Sequence, residues 1–304
     1  MDYREQYRRY VAMVEETIEK ILPQSEEDCP AVAGGIPEKL CEAMRYSLLA
    51  GGKRVRPVLL LAACEMLGGD IQQALVPAAA LEMIHTYSLI HDDLPGMDND
   101  DYRRGRLTNH KVFGEGIAIL AGDGLLNYAY ECILKNGLQF GDNLAGHVRA
   151  AQEIAQRAGV GGMIAGQTID LLSEHREPNE ATLHYIHMHK TADLLTAPLI
   201  AAAYLAGADE KQRAALSQFG ACVGLAFQID DDLLDVLGDA KALGKQTGMD
   251  EQRGKMTWPS LVGIEAAQAR SRELWTQAEE ALDCFGEKAW FLRAFAEALA
   301  TRKK

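Results

Sequence analysis

The stretch Leu81-Glu-Met-Ile-His-Thr-Tyr-Ser-Leu-Ile-His-Asp-Asp-Leu-Pro-Gly-Met-Asp-Asn-Asp100 sets an apolar run directly against a cluster of aspartates. A second run, Gly224-Leu-Ala-Phe-Gln-Ile-Asp-Asp-Asp-Leu-Leu-Asp235, repeats the arrangement. Carboxylates this close repel one another unless cations neutralise them. Hard oxygen donors without a Cys or His set suit Mg²⁺, which keeps several waters and is bound jointly with substrate phosphates. Two such clusters facing each other would clamp a diphosphate.

Outward from residue 81 the pattern is helical. Residues 71–93 are largely apolar all round, as in a buried helix, with Asp70 as its N-cap. Helices are expected at 4–22, 37–50, from Pro57 to Gly68-Gly69, and at 115–136, 142–159 and 161–173. Asn179 should cap a helix running towards His189, followed by 191–206, 209–238, 258–284 and 286–302. Residues 24–35 and 94–110 read as loops. Strands do not alternate with helices, which excludes a doubly wound sheet. No linker or compositional shift divides the chain, so residues 1–304 are expected to form one all-α domain, a bundle of about ten or more helices.

The net charge of −13 argues against a general nucleic-acid or anionic membrane surface. Six scattered cysteines, mostly in apolar surroundings, fit buried thiols in a reducing cytosol. The N-terminus is charged from its second residue and does not read as a signal peptide, and no apolar run looks long enough to cross a membrane. A soluble, cytoplasmic protein is expected.

Against the acidic background, basic groups gather at Lys53-Arg54-Val55-Arg56 and Arg103-Arg104-Gly105-Arg106, with Lys245 and Lys255 later. Their places beside glycine breaks and Asp clusters favour anion binding over simple solvated charge. Two other patterns fail on context. The glycines from Gly159 to Gly166 follow no strand, so close helix approach explains them better than a nucleotide-binding turn. His184, His187 and His189 cannot share one helix face at about 100° per residue, which argues against a metal cluster.

The two Asp clusters need different geometry. Asp231 and Asp235 lie about 40° apart on one helix face, with Gln228 on the same side. They interleave with Leu233, Leu234 and Val236, and carboxylates embedded in a buried helix need a counter-charge. Asp92 and Asp98 would diverge on an unbroken helix, so the helix must end between them. Pro95-Gly96 supplies the break: Leu94 is pushed out of the α region, and Gly96 can adopt positive φ, folding Asp98 back towards Asp92 and Asp93.

With these motifs together, the chain resembles the trans-isoprenyl diphosphate synthases. The likeness rests on GGKRVRP (51–57), HTYSLIHDDLPGMDNDDYRRG (85–105), GGMIAGQTIDL (161–171), HKTA (189–192), GLAFQIDDDLLD (224–235), and GKQTG with GKMTWP (244–248, 254–259). It is nearest to bacterial short-chain farnesyl and geranylgeranyl diphosphate synthases. It implies an all-α fold around a central cavity, a homodimer, and about three Mg²⁺ per active site, with Mn²⁺ as a substitute. By this resemblance Asp92, Asp93, Asp98, Asp231, Asp232 and Asp235 are metal ligands. Arg103, Lys190 and Lys255 contact the allylic diphosphate, with Thr191, Gln228 and Lys245 nearby. Lys53, Arg56, His85 and Arg104 form the isopentenyl diphosphate pocket, while Gln167 and Asp170 stand behind.

The implied chemistry needs no nucleophilic side chain. An allylic C–O bond ionises as cations stabilise the departing diphosphate, and a dry apolar cavity protects the carbocation. Tyr87 sits five residues before Asp92, about 7.5 Å along the axis. The resemblance makes Tyr87, with Ser88, a floor stopping growth near fifteen carbons; geranylgeranyl diphosphate is the alternative product. Tyr87 can equally be a packed core tyrosine. Two departures stand out: Ala192 replaces a glycine usual after Lys-Thr, and Asp230 adds an acid expected to face solvent. The tail Arg302-Lys303-Lys304 either folds over the second diphosphate or stays solvated. Rival readings are a terpene cyclase, a non-catalytic synthase subunit and an acidic scaffold. The intact second Asp motif, with Lys53, Arg56 and His85, opposes the cyclase; two intact clusters oppose the subunit; arginines beside the acids oppose the scaffold.

Overall fold

A computed structural model describes residues 2–23, 35–174, 176–177, 179–237 and 255–302. The described residues form two compact units, one drawn from residues 1–61 and 70–151 and the other from residues 62–69 and 152–304. Both are helical, and the only strands among the described residues are two of two residues each.

The first unit contains α1 (Tyr3–Ile21), α2 (Glu38–Leu48), the start of α3 (Val55–Met66), α4 (Ile71–Asp92), α5 (Asn109–Phe113), α6 (Glu115–Gln139) and the start of α7 (Leu144–Ala158). Asp2 and Asp70 cap α1 and α4, accepting from the backbone N–H of Glu5 at 2.8 Å and of Gln72 at 3.0 Å. α4 packs along α6. Pro77 inside α4 has no N–H, which leaves the Gln73 carbonyl without its helical donor. The buried Asn136 of α6 supplies one instead, donating from Nδ2 at 3.1 Å. The break in α4's ladder thus becomes a tie between the two helices.

Strands β1 (Tyr102–Arg103) and β2 (Arg106–Leu107) pair antiparallel, Tyr102 opposite Leu107. This hairpin lies in the segment expected to be plain loop. Arg104 and Gly105 both have positive φ, 52° and 74°, as a two-residue I′-like turn requires. By length and composition α6 could cross a membrane, contrary to the expectation that no segment could. It packs on α2, α4 and α5 and exposes Ile119, Leu120, Leu134 and Leu138.

The second unit holds α8 (Met163–Ser173), α9 (Glu180–Ile186), a π-helical segment (His187–Ala192), α10 (Asp193–Leu205), α11 (Glu210–Leu237), α12 (Trp258–Val262), α13 (Ile264–Ala281) and α14 (Trp290–Ala300). Asn179 caps α9 by accepting from the Thr182 N–H at 3.0 Å. The helix expected to run through 258–284 is broken at Gly263, whose φ is 86°. α11 is the central element, packed against α10, α13 and the π segment. Cys41, Cys132 and Cys222 are buried free thiols, while Cys284 is exposed.

Candidate active site

In the first unit, α4 ends at Asp92 and the chain turns back at once. The Asp98 N–H donates to the Asp92 carbonyl at 2.8 Å, which ties the two ends of the motif together. Gly96 is not the residue that takes positive φ; Asn99 does, at 53°. Asn tolerates the left-handed region through its short polar side chain, so the reversal is completed three residues later than expected. Asp92 and Asp98 are half-buried. Asp93 is buried and held by Arg103, whose Nε reaches Oδ1 at 2.8 Å and Oδ2 at 2.9 Å while Nη2 reaches Oδ1 at 2.7 Å. Burial pushes the Asp93 carboxyl above its ordinary range, and Arg103 opposes that rise. A small cleft runs beside this pair, lined by Thr86, Leu89, Asp93, Arg103 and Arg104 among others.

A nest of positive charge lies in the same unit. Arg104 donates to the Gly51 carbonyl, and its guanidinium lies 2.8 Å from where a Cβ on Gly52 would be. Gly52 also has φ of 137°, so that position needs glycine on two counts. Burial, with Arg104 adding to it, pulls the Arg56 guanidinium down to about 10. Burial and then Arg56, Arg104, Arg103 and Arg54 hold the His85 imidazole well below its usual range, so it is neutral at working pH. Buried Arg54 is matched internally, by Glu82 at 2.9 Å. The buried Nε of Arg56 has no hydrogen-bond partner. Lys53 is exposed, its carbonyl accepting from the Tyr7 hydroxyl at 2.6 Å. Of the expected residues, Arg56, His85 and Arg104 thus gather with Arg54 and Arg103 in one positively charged nest that suits an anion, while only the Lys53 backbone is seen to be tied in.

Tyr87 is buried on α4, and its ring meets that of His91 edge to face at 5.7 Å. Burial, with Tyr130 and Asp92 nearby, pushes its hydroxyl up to about 12. The Ser88 hydroxyl donates to the His85 carbonyl at 2.9 Å.

In the second unit, the pattern of the first motif recurs on α11. Asp232 is buried, accepting from the Trp258 N–H at 2.9 Å and from Gln228 Nε2 at 3.2 Å, with His187 Nε2 at 3.6 Å. Thr191 completes the chain by donating to Gln228 Oε1 at 3.0 Å. Asp231 and Asp235 are half-buried one turn apart. Arg302 donates to Asp231 at 2.5 Å and to the Phe227 carbonyl at 3.0 Å, its guanidinium 3.8 Å from the Phe227 ring centre. Lys190 Nζ reaches Asp170 at 2.5 Å, with Lys255 Nζ at 4.0 Å from the same carboxylate. Lys190 and Thr191 both lie on the π-helical segment, a rare geometry frequent at functional sites. Gln167 keeps a buried acceptor with no partner. Lys245, Lys303 and Lys304 lie outside the described residues.

Both departures from the family pattern find their reasons here. A Cβ on Gly224 would lie 2.4 Å from both Cα and Cβ of Ala192, so the missing side chain at 224 makes room for the methyl at 192. Asp230 does not face solvent; it accepts from Ser271 at 2.5 Å and from the Trp275 indole at 2.9 Å, pinning α11 to α13. His187 and His189 do not converge either, since His189 turns to Asp193 at 2.7 Å.

Among the described residues no three His, Cys, Asp or Glu side chains close on one point as a complete metal cage would. A pair of half-buried carboxylates in each unit, all oxygen, fits Mg²⁺ that draws its other ligands from water and substrate phosphate.

The polyprenyl synthetase family model matches residues 37–290. The chain is 47% identical over 296 residues to a dimethylallyltranstransferase of Fischerella ambigua, covering 96% of this chain and 83% of that protein. It is 46% identical over 271 residues to the large subunit of a heterodimeric geranylgeranyl pyrophosphate synthase of Arabidopsis thaliana, covering 88% and 73%. A crystal structure of an FPP/GFPP synthase from Zymomonas mobilis superposes with a TM-score of 0.85 at 33% identity, covering 98% of this chain and 99% of that one.

Proposed function

The chain belongs to the polyprenyl synthetase family and is a transferase of prenyl groups; from that premise we propose that it joins isopentenyl diphosphate to dimethylallyl and geranyl diphosphate and stops at farnesyl diphosphate. The observation that carries the reading is the gathering of Arg54, Arg56, Arg103 and Arg104 around His85, a charge arrangement suited to a diphosphate. Residues 1–304 would act as one catalytic domain in the cytoplasm, in keeping with buried free thiols at Cys41, Cys132 and Cys222.

Of the six aspartates, Asp92, Asp98, Asp231 and Asp235 would hold Mg²⁺; Asp93 and Asp232 are bound by protein partners and position their neighbours. Bound Mg²⁺ supplies the positive charge that stabilises the departing diphosphate. Arg103, Lys190 and Lys255 bind the allylic diphosphate oxygens, and Asp170 holds the two lysines in place until substrate arrives. Lys53, Arg56, Arg104 and neutral His85 hold isopentenyl diphosphate, whose double bond attacks the allylic carbon as the C–O bond breaks. The proton lost from the adduct passes to the released diphosphate. Apolar walls exclude water, and Tyr87 limits the depth available to the growing chain.

The relatives named geranylgeranyl synthases support a twenty-carbon product as the second reading. The buried aromatic ring at position 87 supports fifteen. The apolar residues exposed on α6 support a homodimer, which light scattering of the purified protein would test. Two substitutions test the site assignment. Arg56→Gln should raise KM for isopentenyl diphosphate at least tenfold with little change for geranyl diphosphate. Asp92→Asn should lower kcat about a thousandfold. The reverse partition would refute the division of the two diphosphates.

A further inference from the structure

A chain of contacts links Tyr87 through His91 to α6. His91 follows one turn later on α4 and packs its ring edge to face on Tyr87, with an interplanar angle of 83°. Its Nε2 donates to the Ile119 carbonyl of α6 at 3.1 Å, which requires the proton on that nitrogen. The ring fits there because residue 122 is glycine. A Cβ at 122 would lie 2.1 Å from His91 Nε2 and 2.5 Å from Cδ2. Asp123 stands 3.9 Å from the same nitrogen and favours a donor there. Gly122 is buried in the middle of a 25-residue helix, where alanine would otherwise be the better residue.

We propose that His91, seated at Gly122 and tethered to Ile119, is the positioning residue that fixes Tyr87 and thereby sets product length. The inference rests on the reading of Tyr87 as the floor. Edge-to-face packing leaves the Tyr87 ring one stable orientation. With His91 removed, the ring can swing into the vacated space and the cavity deepens. Product length is then controlled by a residue that faces α6 rather than the growing chain.

The test compares wild type with Tyr87→Ala, His91→Ala, His91→Phe and Gly122→Ala, supplying Mg²⁺, geranyl diphosphate and excess isopentenyl diphosphate. The C20:C15 ratio, kcat/KM for isopentenyl diphosphate and the melting temperature are read for each. His91→Ala should raise the C20:C15 ratio at least tenfold with kcat/KM within about threefold of wild type. His91→Phe, which keeps a ring in the seat, should return the product to C15. Gly122→Ala should lengthen the product as His91→Ala does. If Gly122→Ala fails to fold, the double variant His91→Ala/Gly122→Ala gives the new methyl room and should match His91→Ala. A lengthened product from Tyr87→Ala alone, with His91→Ala still making C15, would overturn the proposal and leave the floor intact. An unchanged product from Tyr87→Ala would overturn the floor itself, and a loss of melting temperature in His91→Ala without a change in ratio would make His91 merely structural.

Discussion

Arg103 grips both carboxylate oxygens of Asp93 from one guanidinium, through contacts of 2.7 to 2.9 Å. The forked geometry fixes where the arginine points, which a lysine could not reproduce. Asp93 lies at the end of α4 and Arg103 on the hairpin strand β1, so the pair anchors the turn carrying Asp98.

This pair separates stability from activity. Burial raises the folded pKa of Asp93 above its unfolded value of 3.8, so its stabilising contribution is present below that value and lost as pH rises through the folded pKa. At neutral pH the buried charge therefore contributes little net stability. Arg103 is about one-third exposed and can turn to water if its partner is lost. Asp93→Asn is expected to melt within a few degrees of wild type while kcat falls at least a hundredfold. Thermal melts beside steady-state rates check this, and a large melting loss with normal rates would contradict it.

His85 should respond to substrate. Its proton affinity is held down by burial and by four arginines. A bound diphosphate neutralises those charges, so the imidazole pKa is expected to rise on binding. Titration of the His85 ring signals by NMR, with and without inorganic diphosphate, reads this directly; a fall or no change would contradict the anion nest.

His187 is expected to contribute to acid sensitivity. Burial draws its pKa down from 6.5 to about 3, so its contribution is present above pH 6.5 and lost as pH falls towards 3. At about 1.4 kcal/mol per unit, some 4 to 5 kcal/mol is at stake across that window. Urea unfolding between pH 7 and 4 should show His187→Phe losing markedly less stability than wild type as the pH drops.

The small residues lining the π segment are equally testable. Gly224→Ala would drive a methyl into both the backbone and the side chain of Ala192. Overpacking of this kind costs about 1–3 kcal/mol. Because Thr191 moves with Ala192, the KM for the allylic substrate should rise as well. Differential scanning calorimetry and kinetics together check it.

Arg302 donates to Asp231 at 2.5 Å, so under the proposed function it would compete with Mg²⁺ for that carboxylate. Arg302→Ala is expected to lower the Mg²⁺ concentration for half-maximal rate a few-fold. A higher requirement would show that the arginine assists the site instead.

The helices were legible because their caps are local. Asp70, Asn179 and the glycines at 51–52 and 68–69 each act within a few residues of themselves. The reversal after Asp93 was legible for the same reason, since Pro95 forbids the helix to continue. What escaped sequence reasoning depends on partners distant in the chain. Asp230 looked like surface charge until Ser271 and Trp275 met it, and nothing around 187–192 announces a widened helical turn. That Asp93 and Asp232 are buried while their neighbours Asp92 and Asp231 are half-buried likewise rests on Arg103 and Trp258. The hairpin at 102–107 did carry a signal, Arg104-Gly105 between short extended residues, hidden by the length of the polar segment around it.

The most direct measurement is product analysis by mass spectrometry after incubating purified protein with Mg²⁺, isopentenyl diphosphate and geranyl diphosphate. The expected result is farnesyl diphosphate as the terminal product, abolished by chelation of the metal. Geranylgeranyl diphosphate as the main product would contradict the role given to Tyr87, and no condensation by folded protein would contradict the proposed reaction.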